Sequence, residues 1–256
     1  LIRGEKGCYK AITKKTFDSF LTPQNISLMI QTFNIAQRGN SFESFDISKA
    51  DKAIIQSKIK ESKKVYEFKN KPFESKKDNH KLLHQLEEAI YHQQSITIEY
   101  DGKTKEVKPY KILFMSENFY LAGEVDDKNI FSLFRVSKIV EIKELGKNFH
   151  KNPDLEDFII DMQTPFPRYR QGYRKFLIDA ILEVDASKAF FFKNKNFLKS
   201  QKIVEEKANG NLLISYKITQ DLELEELVKR WLPYVKVIEP ASLREKIEED
   251  LSKYLR

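Results

Sequence analysis

The chain has 256 residues, 41% apolar and 32% charged, with 45 basic and 38 acidic side chains and a single cysteine, Cys8. That length accommodates two or three small domains with real cores, and that balance excludes a disordered chain. No intramolecular disulfide is possible, no apolar run nears the ~20 residues of a membrane span, and no signal peptide is visible, so a reducing cytoplasm is the expected location. The net charge of +7 is uneven: residues 1–79 carry 16 basic against 9 acidic side chains, whereas 80–145 carry 9 against 11 and 176–256 carry 14 against 14. A basic first third points to a polyanion contact there or to a solvated lysine-rich surface.

Residues 1–13, LIRGEKGCYKAIT, read as two short strands around a turn in which Gly4 and Gly7 flank Glu5-Lys6. Residues 14–79 form a helical region. One helix spans Pro23 to Gln37 with Ile26, Met29, Ile30 and Phe33 on one face, and a second spans roughly Ser48 to Ser62. Core and dimer interface cannot be told apart in such amphipathic helices. His80 to Gln93 reads as a third helix, burying Leu82, Leu83, Leu86, Ala89 and Ile90. His80 and His84 have chelating i, i+4 spacing, but no further ligand follows at suitable spacing, so no metal is expected.

From Ser95 to Leu145 apolar and polar residues alternate in short runs: Ile96, Ile98, Tyr100; Tyr110, Ile112, Phe114; Phe119, Leu121; Phe131, Leu133; Ile139, Ile142. Asp101-Gly102, Ser116-Glu117-Asn118 and Asp126-Asp127-Lys128-Asn129 separate them, so residues 80–145 are expected to end in a strongly bent antiparallel sheet or small barrel. Pro109-Tyr110, Phe119-Tyr120-Leu121 and Phe134-Arg135-Val136-Ser137-Lys138-Ile139 make this block similar to the WYL domain of bacterial transcriptional regulators. Phe119 stands where that family usually has Trp, Ser137 where Asp is common, and Lys138 where a second Arg is common. The resemblance implies an Sm/SH3-like β-barrel, a homodimer, and a winged helix-turn-helix that contacts double-stranded DNA. Residues 1–13 resemble the wing of that head, most of which the chain lacks; the first residue is Leu rather than Met, and further chain upstream is expected.

Residues 146–175 read as a linker whose end, PFPRYRQGYRK, sets Arg168, Arg170 and Arg174 among Phe166, Tyr169 and Tyr173 with no acid. Arginine planes beside aromatic rings suit stacked bases and phosphates, giving a possible nucleic-acid contact. Alternatively the rings pack on a domain surface and the arginines are solvated. Residues 176–256 predict a βαββαβ order with an added helix, a ferredoxin-like sandwich. Its marks are an Asn209-Gly210 hairpin turn, a helix capped by Asp221, a strand ending at Pro240, and a closing helix with a Ser242/Glu245 capping box. LVKRWLPYVKVIEPASLREKIEEDL (227–251) also resembles the C-terminal extension that follows WYL domains. The fold class is therefore α+β.

Arg135 lies in an apolar strand, where a buried guanidinium requires an anion. If alternation holds, Leu133, Arg135 and Ser137 share a face, and Arg135 would line a pocket mouth with Tyr100, Tyr110 and Tyr120. Lys108 and Lys138 would add charge. Such a set can hold a phosphate and stack a base, and the resemblance implies a nucleotide-like ligand or short single-stranded nucleic acid on this face. The other reading of Arg135 is a pair with Glu99 or Glu124. No GxSxG, Walker, GxGxxG or HExxH motif is present, so neither an enzyme nor a cofactor is expected. A different class remains open: a stand-alone single-stranded nucleic-acid-binding module that regulates a partner protein.

Overall fold

In the computed structural model the chain divides into two compact units, residues 1–84 and 85–256. The structure describes residues 2–3, 9–10, 79–125 and 130–255. In the first unit Ile2 pairs with Lys10 and Arg3 with Tyr9 in an antiparallel ladder, as the two terminal glycines predict. The expected helices at 23–37 and 48–62 lie outside the described residues. Helix α1, Asn79–Tyr91, runs across the boundary and leads the chain into the second unit.

The first sheet of that unit has five antiparallel strands: β1 (Gln94–Tyr100), β2 (Lys103–Met115), β3 (Asn118–Val125), β4 (Ile130–Arg135) and β5 (Ile139–Asn148). Their order is β4-β3-β2-β1-β5. The outermost strands, β4 and β5, are consecutive in the chain and joined only by a 3-10 turn, Val136–Lys138. A connection that short forces the sheet to curl until its two edges approach. Ile96, Ile98, Val107, Leu121, Phe134, Val136 and Ile139 are buried, as period-two apolar runs require. The expected barrel is not closed: the sheet is curled and open, with no ladder between β4 and β5 among the described residues.

Two tight turns set the register. Asp101 and Gly102 have φ of +50° and +71° between paired Tyr100 and Lys103, the two-residue hairpin geometry that favours Asp-Gly. Ser116 and Glu117 take φ of +46° and +64° between paired Met115 and Asn118, without a glycine. In β2 the register shifts between Pro109 and Lys111, so Tyr110 is the extra residue of a bulge. Gly123, opposite Pro109, allows the close approach: a Cβ there would lie 2.6 Å from the Lys108 carbonyl oxygen.

The segment read as a linker contains a helix, α2 (Pro153–Asp161). Asn152 caps it by accepting from the Asp154 N–H at 3.1 Å, Pro153 fills its first turn, and Asp154 and Glu156 complement its positive end. Leu155, Phe158 and Ile159 bury against Tyr110 and Ala122 of the sheet, together with Phe149 and Tyr173. Residues 162–177, the strap, then run to the second sheet.

That sheet comprises β6 (Ile178–Val184), β7 (Lys202–Glu206), β8 (Leu212–Ile218) and β9 (Val235–Glu239), in the order β9-β6-β8-β7, antiparallel throughout. Helices α3 (Ala189–Asn194), α4 (Leu222–Trp231) and α5 (Ala241–Tyr254) complete the expected βαββαβ-plus-helix order. Ala180, Leu182, Leu212, Ile214, Leu224 and Leu243 lie in its separate core. Three local details differ from expectation. The Asn209-Gly210 connection is longer than two residues: Gly210 N–H donates to the Lys207 carbonyl, Gly210 alone has positive φ (+83°), and Lys207 N–H donates to Asn211 O. Asp221 stands at the N-cap of α4 without a side-chain capping bond; the Glu223 carboxylate instead takes the Thr219 N–H and hydroxyl. Helix α5 starts one residue before Ser242, with Pro240 at its N-cap, so the Ser242/Glu245 box does not form. No described helix is long and apolar enough to cross a membrane.

Candidate functional site

Strand β4 ends at Arg135, and the ladder sets Arg135 opposite Tyr120 on β3, with Leu133 opposite Ala122. These four residues share one face of the sheet. Ala122 is buried under α2 and Leu133 packs against the same cluster. Arg135 and Tyr120, one pleat beyond, are half-buried. The Arg135 guanidinium donates from Nη2 to Asn118 Oδ1 at 2.6 Å, and Asn118 Nδ2 donates to the Ser116 carbonyl at 2.7 Å. The glycine-free turn thus anchors the amide that orients the guanidinium.

Tyr100 reaches the same place from β1. Its hydroxyl accepts from the Arg135 N–H at 3.3 Å, and its ring meets Phe134 edge-on at 5.2 Å. The alternation predicted for β4 stops at Arg135 because the chain enters the 3-10 turn, which carries Lys138 over to β1. Lys138 Nζ lies 5.9 Å from the Tyr100 ring centre and 3.4 Å from Asp101 Oδ1. The Arg135 side chain is therefore set beside Tyr120 and Asn118, whereas Tyr100 meets Arg135 only at its backbone N–H and packs its ring on Phe134 of the other face, with Lys138 over that ring. The sequence marks Asn118 only as a turn former.

Tyr110 and Lys108 are not in this group. The bulge turns Tyr110 into the core under α2, where its hydroxyl donates to Glu124 Oε2 at 2.8 Å and accepts from the Asn152 N–H at 2.9 Å. Burial raises the Tyr110 hydroxyl above the usual phenol range, and the neighbouring Glu124 carboxylate raises it further. Glu124, weighed as a partner of Arg135, is buried with Tyr110. Lys108 pairs with Glu124 in the ladder, four residues along β3 from Tyr120 or about 13 Å.

The three linker arginines part company. Arg174 is tied to α2, with Nη1 3.1 Å from Asp157 and Nη2 3.3 Å from Asp161, and lies over the Tyr173 ring at 4.9 Å. Arg168 and Arg170 are exposed on the other side of the strap. Of the aromatic residues around them, Tyr169 and Tyr173 face inward, whereas Phe166 and Phe176 are exposed. Tyr173 is buried and donates to Asp161, and Tyr169 donates to Asp154 at 2.9 Å, so burial and those carboxylates raise both phenols.

The strap is bonded to the second sheet along its length. Gln163 Nε2 donates to the Lys217 carbonyl at 2.9 Å, Thr164 Oγ1 to Glu223 at 3.1 Å, and the Arg168 N–H to Thr219 Oγ1 at 2.8 Å. Gln220 Nε2 donates back to the Phe166 carbonyl at 2.7 Å.

A curled five-stranded sheet with an arginine at its seam is followed by a βαββαβ domain with a core of its own. Family models match in the same order: a WYL domain over residues 81–144 and a WCX domain over residues 177–255. The chain carries a WYL domain followed by a WCX domain. Among solved structures it is similar to Proteasome accessory factor B/C (PafBC) of Arthrobacter aurescens, at 20% identity and a TM-score of 0.29. It is also similar to a CRISPR Cas-related protein, at 11% identity and a TM-score of 0.41. These matches cover 65% and 70% of this chain, but only 26% and 52% of the two relatives. No curated protein matches.

Proposed function

We propose that this chain is the ligand-sensing part of a transcriptional regulator, whose WYL domain takes an anionic, base-containing ligand at Arg135. The ligand is a nucleotide or a short single-stranded nucleic acid. The WYL and WCX domains support a regulatory role. The observation that carries the ligand class is Arg135 itself: half-buried, oriented by Asn118 and opposite Tyr120. A guanidinium beside a phenol ring can grip a phosphate and stack a base. The domain's acidic balance argues against a long strand held by electrostatics alone, so contact at a few points is the expected mode.

In this reading the ligand shifts a homodimer between DNA-competent and DNA-incompetent arrangements of a winged helix upstream. It does so only to the extent that its affinity for the two arrangements differs. The test is native mass spectrometry of the purified protein for co-purified nucleotide or oligonucleotide, followed by titration of Arg135→Ala with whatever is found. A folded Arg135→Ala protein that binds as tightly as the parent removes Arg135 from the site. Asn118→Ala should weaken binding less, because it loosens the guanidinium without removing it.

A further inference from the structure

On the outer side of the strap, Arg168 and Arg170 line a cleft of about 320 Å³. Phe176 and Gln220 form part of its wall, with Asp221 ahead of α4 and Ser242 in the first turn of α5. Two like charges at one opening repel, so their backbone must be fixed. Here the Arg168 N–H is bonded to Thr219, and Gln220 holds the Phe166 carbonyl two residues earlier. The Arg170 guanidinium lies 5.5 Å from the centre of the Phe176 ring, which is 49% exposed. Among the described residues neither Arg168 nor Arg170 forms an ion pair, whereas Arg174 is taken up by Asp157 and Asp161.

We propose that this cleft binds a phosphomonoester carried on an aromatic base, a nucleoside 5′-monophosphate in size and charge. Two guanidinium forks match the oxygens of one phosphate, and the half-exposed Phe176 ring, with Arg170 over one face, makes a guanidinium–aromatic stack that a base can extend. Inorganic phosphate would leave Phe176 unused. The volume stands at the lower end of ligand pockets, enough for one nucleotide and not for a run of them. Asp221 leaves the cleft only one positive charge in excess, which disfavours di- and triphosphates. This site is distinct from Arg135 and does not rest on the reading of that residue.

The test is isothermal titration calorimetry of the full chain, freed of bound nucleotide, with 5′-AMP, adenosine and inorganic phosphate. In the Arg135→Ala background, which removes the WYL site, AMP should bind one to one, and each half-ligand at least about tenfold more weakly. Arg168→Ala and Arg170→Ala should each weaken AMP about tenfold, the usual loss for a charge-assisted contact. Phe176→Ala should remove about tenfold of the AMP advantage over phosphate. The side chains replaced are exposed, and an unchanged far-ultraviolet circular dichroism spectrum verifies the fold. If a variant is unfolded, Arg170→Lys, which keeps the charge but not the fork, serves in its place. Three results overturn the proposal: no AMP binding, AMP binding no tighter than phosphate, or AMP binding lost in Arg135→Ala and kept in the Arg168 and Arg170 variants.

Discussion

Gly123 shows how tightly the WYL sheet is drawn together at the bulge. A methyl group there would meet the Lys108 carbonyl oxygen at 2.6 Å and Val107 Cγ1 at 2.7 Å, one of them backbone that cannot rotate away. Gly123→Ala should therefore destabilise the protein by about 2 kcal/mol, lowering its urea midpoint with little change in slope. Tyr110 is the second sensitive residue. Its hydroxyl serves a buried carboxylate and the first backbone N–H of the α2 cap. Tyr110→Phe leaves both wanting and should cost about 1–3 kcal/mol by the same measurement. The sequence marked Tyr110 as a ligand residue because simple alternation cannot register a bulge: one extra residue turns the side chain from the open end of the face to its covered end. Arg135 and Tyr120 follow the period of their strands and stand opposite each other in the ladder, whereas the Tyr100 ring packs on Phe134 of the other face.

Elements whose start and stop signals are local were the easiest to read. The order of the C-terminal domain follows from its apolar periods, the Asn209-Gly210 turn and Pro240. Helix α2 carries an equally local signal in Asn152-Pro153-Asp154, but nine residues between two domains read as linker because the stretch is short. Pairing of α4 with α5 is a tertiary matter that sequence does not show. Glu225 accepts from Lys229 at 2.5 Å and Lys246 lies 2.5 Å from its other oxygen, while Lys229 also reaches Asp250 at 2.6 Å. The hydrogen bond to Lys229, then that to Lys246, hold Glu225 below the usual carboxylate range; Lys229 does the same for Asp250. Because the folded-state values are depressed, this network stabilises above the unfolded carboxylate values of about 4 and is lost as pH falls through the folded ones. Thermal unfolding between pH 7 and 3 should show the midpoint dropping below about pH 4, and Glu225→Gln should flatten that drop while costing about 1 kcal/mol at neutral pH.

At the scale of the molecule, the strap and α2 belong to both domains of the second unit. The first sheet buries Tyr110 and Ala122 only because Leu155, Phe158 and Tyr173 lie over them, whereas the WCX domain has a core of its own. Expression of residues 177–255 should therefore give a folded fragment, residues 85–176 should fold as well, and residues 85–148 should aggregate. Size-exclusion chromatography with circular dichroism distinguishes these outcomes; a monodisperse, folded 85–148 fragment would contradict this account of the packing.

The sheet that begins and ends at the 3-10 turn has a further consequence. Its two borders are fastened to each other by three residues, with Arg135 at the end of one bank and Lys138 the last residue of the fastening, next to Ile139 of the other bank. An anion gripped from both banks would act as a clasp across the gap. Amide exchange along β4 and β5 would then slow as the clasp is occupied, so occupancy could be followed from the backbone without knowing what the occupant is.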